Sequence, residues 1–404
     1  MLNRFLGLGD RETIGGALAR YRGIGPGFDL LRIGLALYIF YGHALWVAGG
    51  ASSVAGVPTI AAAATAATAA AVERGFTGWT RPFHVAAVPV FFALSGFLVI
   101  GSALRLRATS TFLAFRFMRI FPALIVETCL CAVLLGAALT TLPLDQYFRE
   151  PGFWRYLGNM VGWISFHLPG VFTTNPVQNV VNANLWTLPS EFDCYAITAV
   201  LMITRIIYDR RLFSLLYAVV ALSFLVASFA VNFSITPGIL PPVAITFYFF
   251  TGVLVYHWRE KIPANGYLFI AAAILSYFLL LEPRAVYIAP IPVAYCMAFF
   301  GMIAIPKIPL IGRGDYSYGI YLYGFPICQA LVATFPDVFV GHRYLLLAAG
   351  GLVTCAWAAF SWHMIEIHAL KLKRHLPPRW FPKPVRPVPR QSPEGRAEQA
   401  GVPS

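Results

Sequence analysis

Runs of about twenty apolar residues recur along this chain, and that recurrence leaves it very few folds. A bilayer core about 30 Å thick takes roughly 20 mostly apolar residues per crossing helix. Such runs lie near residues 28–48, 82–104, 120–141, 185–205, 212–232, 242–258, 267–282, 286–305, 316–334 and 344–366. Charged residues make up 12% of the chain, about half the share a soluble globular protein carries. Hydrophobic residues make up 58% and the mean hydropathy is +0.69. These values exclude a disordered, fibrous or water-soluble chain. The expected fold is an all-α integral membrane protein with about ten transmembrane helices. An eleventh apolar piece, about 154–170, holds Gly158, Gly162, His167, Pro169 and Gly170 and is expected to be re-entrant or interfacial.

The distribution of cations orients the expected helices. With the N-terminus in the cytoplasm, the inside segments hold 23 Lys and Arg, the outside loops hold six, and Arg32 lies within the first span. The positive-inside rule therefore puts both termini in the cytoplasm. This gives a cytoplasmic N-terminal segment over 1–27, a membrane domain over 28–370 and a basic, Pro-rich tail over 371–404. The tail is expected to be disordered, and the Ala/Thr-rich stretch 51–72 to lie in the first outside loop. A cleaved signal peptide over 1–48 is the competing reading. Its leading segment would be 27 residues long and its apolar core would carry an Arg and a His, which is unlike such peptides. A net charge of +13 would suggest nucleic acid in a soluble protein. Here the cations sit between apolar runs, which points to topology and anionic lipid headgroups instead.

Ionisable groups inside spans are costly and are candidates for function. Arg32 and His43 are eleven residues apart, and eleven steps of about 100° return to within about 20° of one helix face. They mark two depths of one stripe, separated by about 16.5 Å of helix. Each alone also fits a packing or snorkelling role. Glu191, in the stretch Leu185 to Asp193, is expected at a depth similar to His43, where a carboxylate could orient an imidazole or raise its basicity. It also follows Pro189 and would complement the positive end of a helix starting there. Arg116 and Arg119, three residues apart on one helix face, could grip phosphates. Ser95-Gly96 permits close helix approach. The six cysteines all fall in apolar runs without ligand spacing, so they are expected to be small buried apolar groups, with no disulfide framework and no metal site.

In this order, the segments resemble the membrane acyltransferase-3 family. The likeness rests on Arg32 and His43 with ten residues between them, on Val90 to Phe97, and on Arg116-Phe117-Met118-Arg119 followed by Pro122. It continues through Leu185-Trp186-Thr187-Leu188-Pro189-Ser190-Glu191 to Tyr195, and Ser317-Tyr318-Gly319-Ile320-Tyr321-Leu322. Two positions depart from the family pattern: Gly324 stands where a His is frequent, and Ile365-Glu366-Ile367-His368 replaces Ile-Glu-Lys-Pro.

The resemblance implies transfer of an acyl group, acetyl first, from cytoplasmic acyl-CoA to a hydroxyl of a cell-surface or exported glycan, free or lipid-linked. It implies the bacterial inner membrane and no permanently bound cofactor. The implied catalytic residues are His43, Arg32 and Glu191, with Arg116 and Arg119 on the donor and Ser95, Trp186 and Tyr318 as candidates to line the cavity. A succinyl or other acyl transferase and a secondary transporter are the alternatives. No internal repeat of the transporter kind is visible.

Overall fold

The computed structural model describes residues 12–21, 23, 25–49, 78–230, 240–304 and 314–372. The Ala/Thr-rich stretch 51–72, the basic stretch 307–313, the tail beyond 372 and residues 1–11, 22 and 24 of the N-terminal segment lie outside the described residues. Among the described residues every regular element is helical, and only two isolated bridges occur, Thr13 with Pro263 and Thr140 with Val171. The longer helices are α1 (Ile14–Arg20), α2 (Phe28–Val47), α3 (Arg81–Leu106), α4 (Thr109–Cys129), α5 (Leu188–Ile203), α6 (Arg210–Ala230), α7 (Pro242–Trp258), α8 (Gly266–Leu281), α9 (Pro290–Met302), α10 (Ser317–Thr334) and α11 (Arg343–Ser361). Both α4 and α11 run on through a π-helical turn, at Leu130–Leu135 and Trp362–Glu366.

Each apolar run of the sequence holds one of the helices α2 to α11. Five stretches are long and apolar enough to cross a bilayer: Phe28–Val47, Gly78–Leu106, Thr109–Leu139, Arg210–Ser228 and Arg343–Lys371. Helices α7, α8 and α9 are shorter apolar helices. Local chemistry sets some of these lengths. Pro189 occupies the first turn of α5, after a 3-10 turn at Ala183–Thr187, so that helix starts at Leu188. A similar 3-10 turn, Pro283–Tyr287, precedes Pro290 at the start of α9.

The apolar surface faces outward as well as inward. Only 11% of the apolar stretch of α6 is buried, and Leu215, Val219, Leu222 and Val226 stand exposed along it. Ile270, Ile274 and Phe278 on α8 and Leu352 and Phe360 on α11 extend this belt. A soluble monomer rarely exposes so large a contiguous apolar area. The chain is an integral membrane protein.

Helix α3 is the most buried of the five long apolar stretches and packs against α2, α7, α8 and α9. Its contact with α7 depends on two glycines. A Cβ on Gly96 would collide with the Phe249 carbonyl, and one on Gly252 with the Ala93 carbonyl. Small residues thus bring two backbones into direct contact, as is common where helices meet in lipid. Helix α10 lies between α2 and α11. Pro326 within α10 has no N–H for the Leu322 carbonyl, and Asn182 Nδ2 donates to that oxygen at 2.9 Å.

The segment expected to be re-entrant or interfacial contains no spanning helix. It forms a short helix (Pro151–Leu157) and a 3-10 turn (Gly158–Val161), and then runs irregularly to residue 182. Backbone without helical bonding is tolerated at membrane depth only when protein satisfies it. Gln329 Nε2 donates to the carbonyls of Val177 and Val180 at 2.8 and 2.6 Å, and Asn175 Nδ2 donates back to the Gln329 carbonyl at 3.0 Å. Trp154 and Trp163 stand exposed on this segment, as aromatic residues do at a membrane boundary.

Two sequence expectations need correction. Arg81, one of the six cations counted in the outside loops, is buried at the start of α3 and donates to the Leu280 carbonyl. Of the six cysteines, expected as buried apolar groups, Cys131, Cys194 and Cys328 are buried, Cys129 and Cys296 are half-buried, and Cys355 is exposed. Apolar helices whose outer faces meet lipid account for the difference.

Candidate active site

A cavity, partly open to solvent, lies between α2, α3, α4, α5 and the start of α10. Its wall is mostly apolar, built by Ile39, Val88, Phe91, Phe92, Leu98 and Ile120. Six of the expected site residues line it: Arg32, Ser95, Arg116, Arg119, Glu191 and Tyr318. Trp186 does not. It is buried in the 3-10 turn before α5, within the apolar core.

One end of the cavity is an ion-pair network that draws on four parts of the chain. Arg119 donates from Nη1 to Glu366 Oε2 at 2.6 Å and from Nη2 to Asp315 Oδ2 at 2.7 Å. Arg32 reaches the same Asp315 oxygen at 3.4 Å, with Asp29 at 3.8 Å. Ser317 Oγ donates to Asp315 Oδ1 at 2.6 Å. Burial works to raise the Asp315 carboxyl, but the Arg119 and Arg32 guanidiniums and the Ser317 bond outweigh it and hold it below the usual carboxylate range. The Arg119 guanidinium also lies 5.3 Å from the Tyr318 ring centroid, and Tyr318 in turn donates to the Ile120 carbonyl at 3.0 Å. Arg119, expected on donor phosphates, already has both terminal nitrogens engaged by carboxylates.

Glu191 sits in the first turn of α5, nearer the helix start than the sequence suggested, because the helix begins at Leu188 rather than 185. Its Oε1 accepts from the Tyr195 hydroxyl at 2.5 Å. The Arg116 guanidinium lies over the Tyr195 ring at 6.0 Å and the Phe112 ring at 5.9 Å, and its Nε is buried without a partner. Arg116, Tyr195 and Glu191 thus form one polar ledge on an apolar wall. Further along, Thr187 and Tyr321 join hydroxyls at 2.7 Å, and the Tyr321 hydroxyl donates to the Asn184 carbonyl at 3.0 Å, which ties α10 to the start of α5.

His43 lies outside the cavity. The expected stripe on α2 is present, since Arg32 and Ile39 both face the cavity, but His43 stands one further turn along, about 6 Å beyond Ile39. Its ring is 5.4 Å from Phe325 and 6.4 Å from Trp46. It is 2% exposed, and both ring nitrogens are buried without a partner. Phe325 follows Tyr321, another cavity residue, by one turn of α10. His43, Phe325 and Trp46 pack together about one helical turn beyond the cavity residues Ile39 and Tyr321. The structure does not bring Glu191 and His43 into contact.

The sequence reading overlooked Asp315, which precedes Ser317 without any periodic signal, and noted Glu366 only as part of a departing motif. It also overlooked Glu127, fully buried in α4, which accepts from Asn182 Nδ2 at 2.7 Å and from the Cys131 thiol at 3.2 Å. An acidic residue inside an apolar run was the available signal for Glu127. Among the described residues no cluster of His, Cys, Asp or Glu could hold a metal ion.

The helical bundle thus encloses an apolar cavity with a carboxylate, a tyrosine and an arginine on its wall. The chain belongs to the acyltransferase-3 family, whose model, described as an acyltransferase domain, matches residues 26–362. It is 29% identical over 289 residues to an O-acetyl transferase of Shigella phage Sf6, covering 69% of this chain and 83% of the relative. It is also 29% identical over 317 residues to nodulation protein 10 of Rhizobium leguminosarum bv. viciae, covering 73% of this chain and 84% of the relative. No solved structure matches. The protein is an acyltransferase of the membrane.

Proposed function

We propose that this protein moves an acetyl group from acetyl-CoA to a hydroxyl of a cell-surface or exported glycan, free or lipid-linked. The observation that carries this reading is one apolar cavity with arginines at one end and an unpartnered imidazole one helical turn beyond the other. In this reading α2 to α11 cross a bacterial inner membrane with both termini in the cytoplasm, so the Arg32 end opens to the donor. The acceptor approaches from the His43 side. The acceptor oxygen bonds to the acyl carbon as the carbon–sulfur bond breaks, and His43 passes the hydroxyl proton to the departing thiolate. Arg116, with an unpaired Nε beside the cavity, stabilises the charge that develops on the carbonyl oxygen. Acetyl is preferred to succinyl on the name of the phage relative. A transporter, by contrast, would leave the thioester intact.

A second assignment of the base has its own support, because Glu191 lines the cavity and His43 does not. Glu191→Gln keeps size and hydrogen bonding but removes the charge. As a catalytic group, Glu191 should cost about 10²-fold or more in kcat when neutralised, read as thiol release from acetyl-CoA by purified protein. As a mere complement to the α5 N-terminus it should cost about 0.3–1 kcal/mol of stability and little turnover. A large loss in kcat with a near-normal melting temperature would make Glu191 the base in place of His43. Turnover close to wild type would assign Glu191 to the helix end alone.

A further inference from the structure

A second cavity, partly open to solvent, adjoins the first. Arg32 and Leu98 line both, so the two cavities meet at these side chains. Helix α3 walls both as well, from Val88 in the first to Arg105 in the second, about 25 Å of helix. The two cavities have different linings. The first is mostly apolar, whereas the second has Arg32, Arg105, Asp29 and Tyr256 around it.

Tyr256 is held in place from two sides. The Arg259 guanidinium lies 4.0 Å from its ring centroid, and the Phe97 ring meets it edge-on at 5.2 Å. Its hydroxyl lies against Gly101, where a Cβ would come within 3.1 Å of it. Gly101 itself lines the second cavity, so the hydroxyl stands at the wall of that space. Arg105 is exposed at the end of α3.

A donor with several phosphates needs cations that are not already engaged. Arg119 does not meet this need, since Glu366 and Asp315 hold both of its terminal nitrogens. We propose that the second cavity seats the phosphorylated nucleoside end of the acyl donor. Arg105, exposed at the end of α3, binds its phosphates together with Arg32, whose contacts to Asp315 and Asp29, at 3.4 and 3.8 Å, are looser than those that hold Arg119, and the Tyr256 hydroxyl donates a further bond. Asp29, which would repel phosphate, accepts from sugar hydroxyls or a base amine. The thioester arm runs past Leu98 into the apolar cavity. This placement rests on acyl-CoA being the donor.

The test compares two donors, acetyl-CoA and the truncated thioester S-acetylpantetheine, which lacks the phosphorylated nucleoside. Arg105→Gln should raise the KM for acetyl-CoA about tenfold or more, the scale of a lost charge-assisted bond to phosphate. It should leave the KM for S-acetylpantetheine within about twofold. Tyr256→Phe, which changes no charge and so leaves topology alone, should raise the acetyl-CoA KM by a smaller factor with the same selectivity. An unchanged acetyl-CoA KM in both variants, or equal changes for both donors, overturns the placement. If the wild type consumes neither thioester, the acyl-CoA reading itself falls and takes the placement with it.

Discussion

Replacing His43 with Leu is expected to abolish acyl transfer while leaving the protein as stable as before, or more so. The imidazole is 2% exposed, lies between Phe325 and Trp46, and has no partner on either nitrogen. A buried polar group without a hydrogen bond costs about 1–3 kcal/mol, and an apolar side chain of similar size removes that cost. A fold carrying such a group gains nothing from it in stability, which suits a base that must stay neutral until a hydroxyl reaches it. Losing a general base costs typically 10²–10⁴-fold. The check is thiol release from acetyl-CoA together with a thermal melt of the same detergent-purified sample. Activity within about threefold of wild type would remove His43 from the chemistry. A melting temperature several degrees lower would make it a packing residue.

Arg119→Ala is expected to act through the fold rather than through the donor. Its guanidinium bridges Glu366, 2% exposed, and Asp315, at 2.6 and 2.7 Å. Removing it leaves a buried carboxylate without its cation, and breaking a buried pair by deleting one partner costs about 3–5 kcal/mol. The measurement is the melting temperature in detergent, which should fall sharply. Arg119→Lys should recover only part of the loss, because an ammonium does not present the planar fork that spans two carboxylates. An unchanged melting temperature with a raised KM for acetyl-CoA would place Arg119 on the donor instead.

The helices were legible because a bilayer demands a run of apolar residues, and each such run of this chain holds a helix, five of the stretches being long and apolar enough to cross. Arg32 and Glu191 were legible for the converse reason, as ionisable groups inside those runs. The ion-pair network was not. Arg119 meets Asp315 and Glu366 across 196 and 247 residues of sequence, and nothing local in a Gly-Asp-Tyr-Ser stretch announces a partner so far away. The expected meeting of Glu191 with His43 rested on similar depth in the membrane. Depth fixes height along the bundle and leaves lateral position open, and in the structure Tyr195, one turn along the same helix, takes the carboxylate. The irregular segment up to residue 182 was legible as not spanning from its glycines and prolines. Its anchoring by Gln329 and Asn182 depends on side chains from elsewhere in the bundle or at its own end.

The central claim is that the acyl group of a CoA thioester ends as an ester on a saccharide hydroxyl. The direct measurement supplies acetyl-CoA carrying an isotopic label in its acetyl group to membranes containing the protein together with surface glycan, and follows the label by mass spectrometry. The account predicts an alkali-labile labelled ester on the saccharide, formed in step with released thiol and absent with His43→Leu. Thiol release with no ester on the saccharide, or labelled ester formed equally by the folded His43→Leu variant, would contradict it.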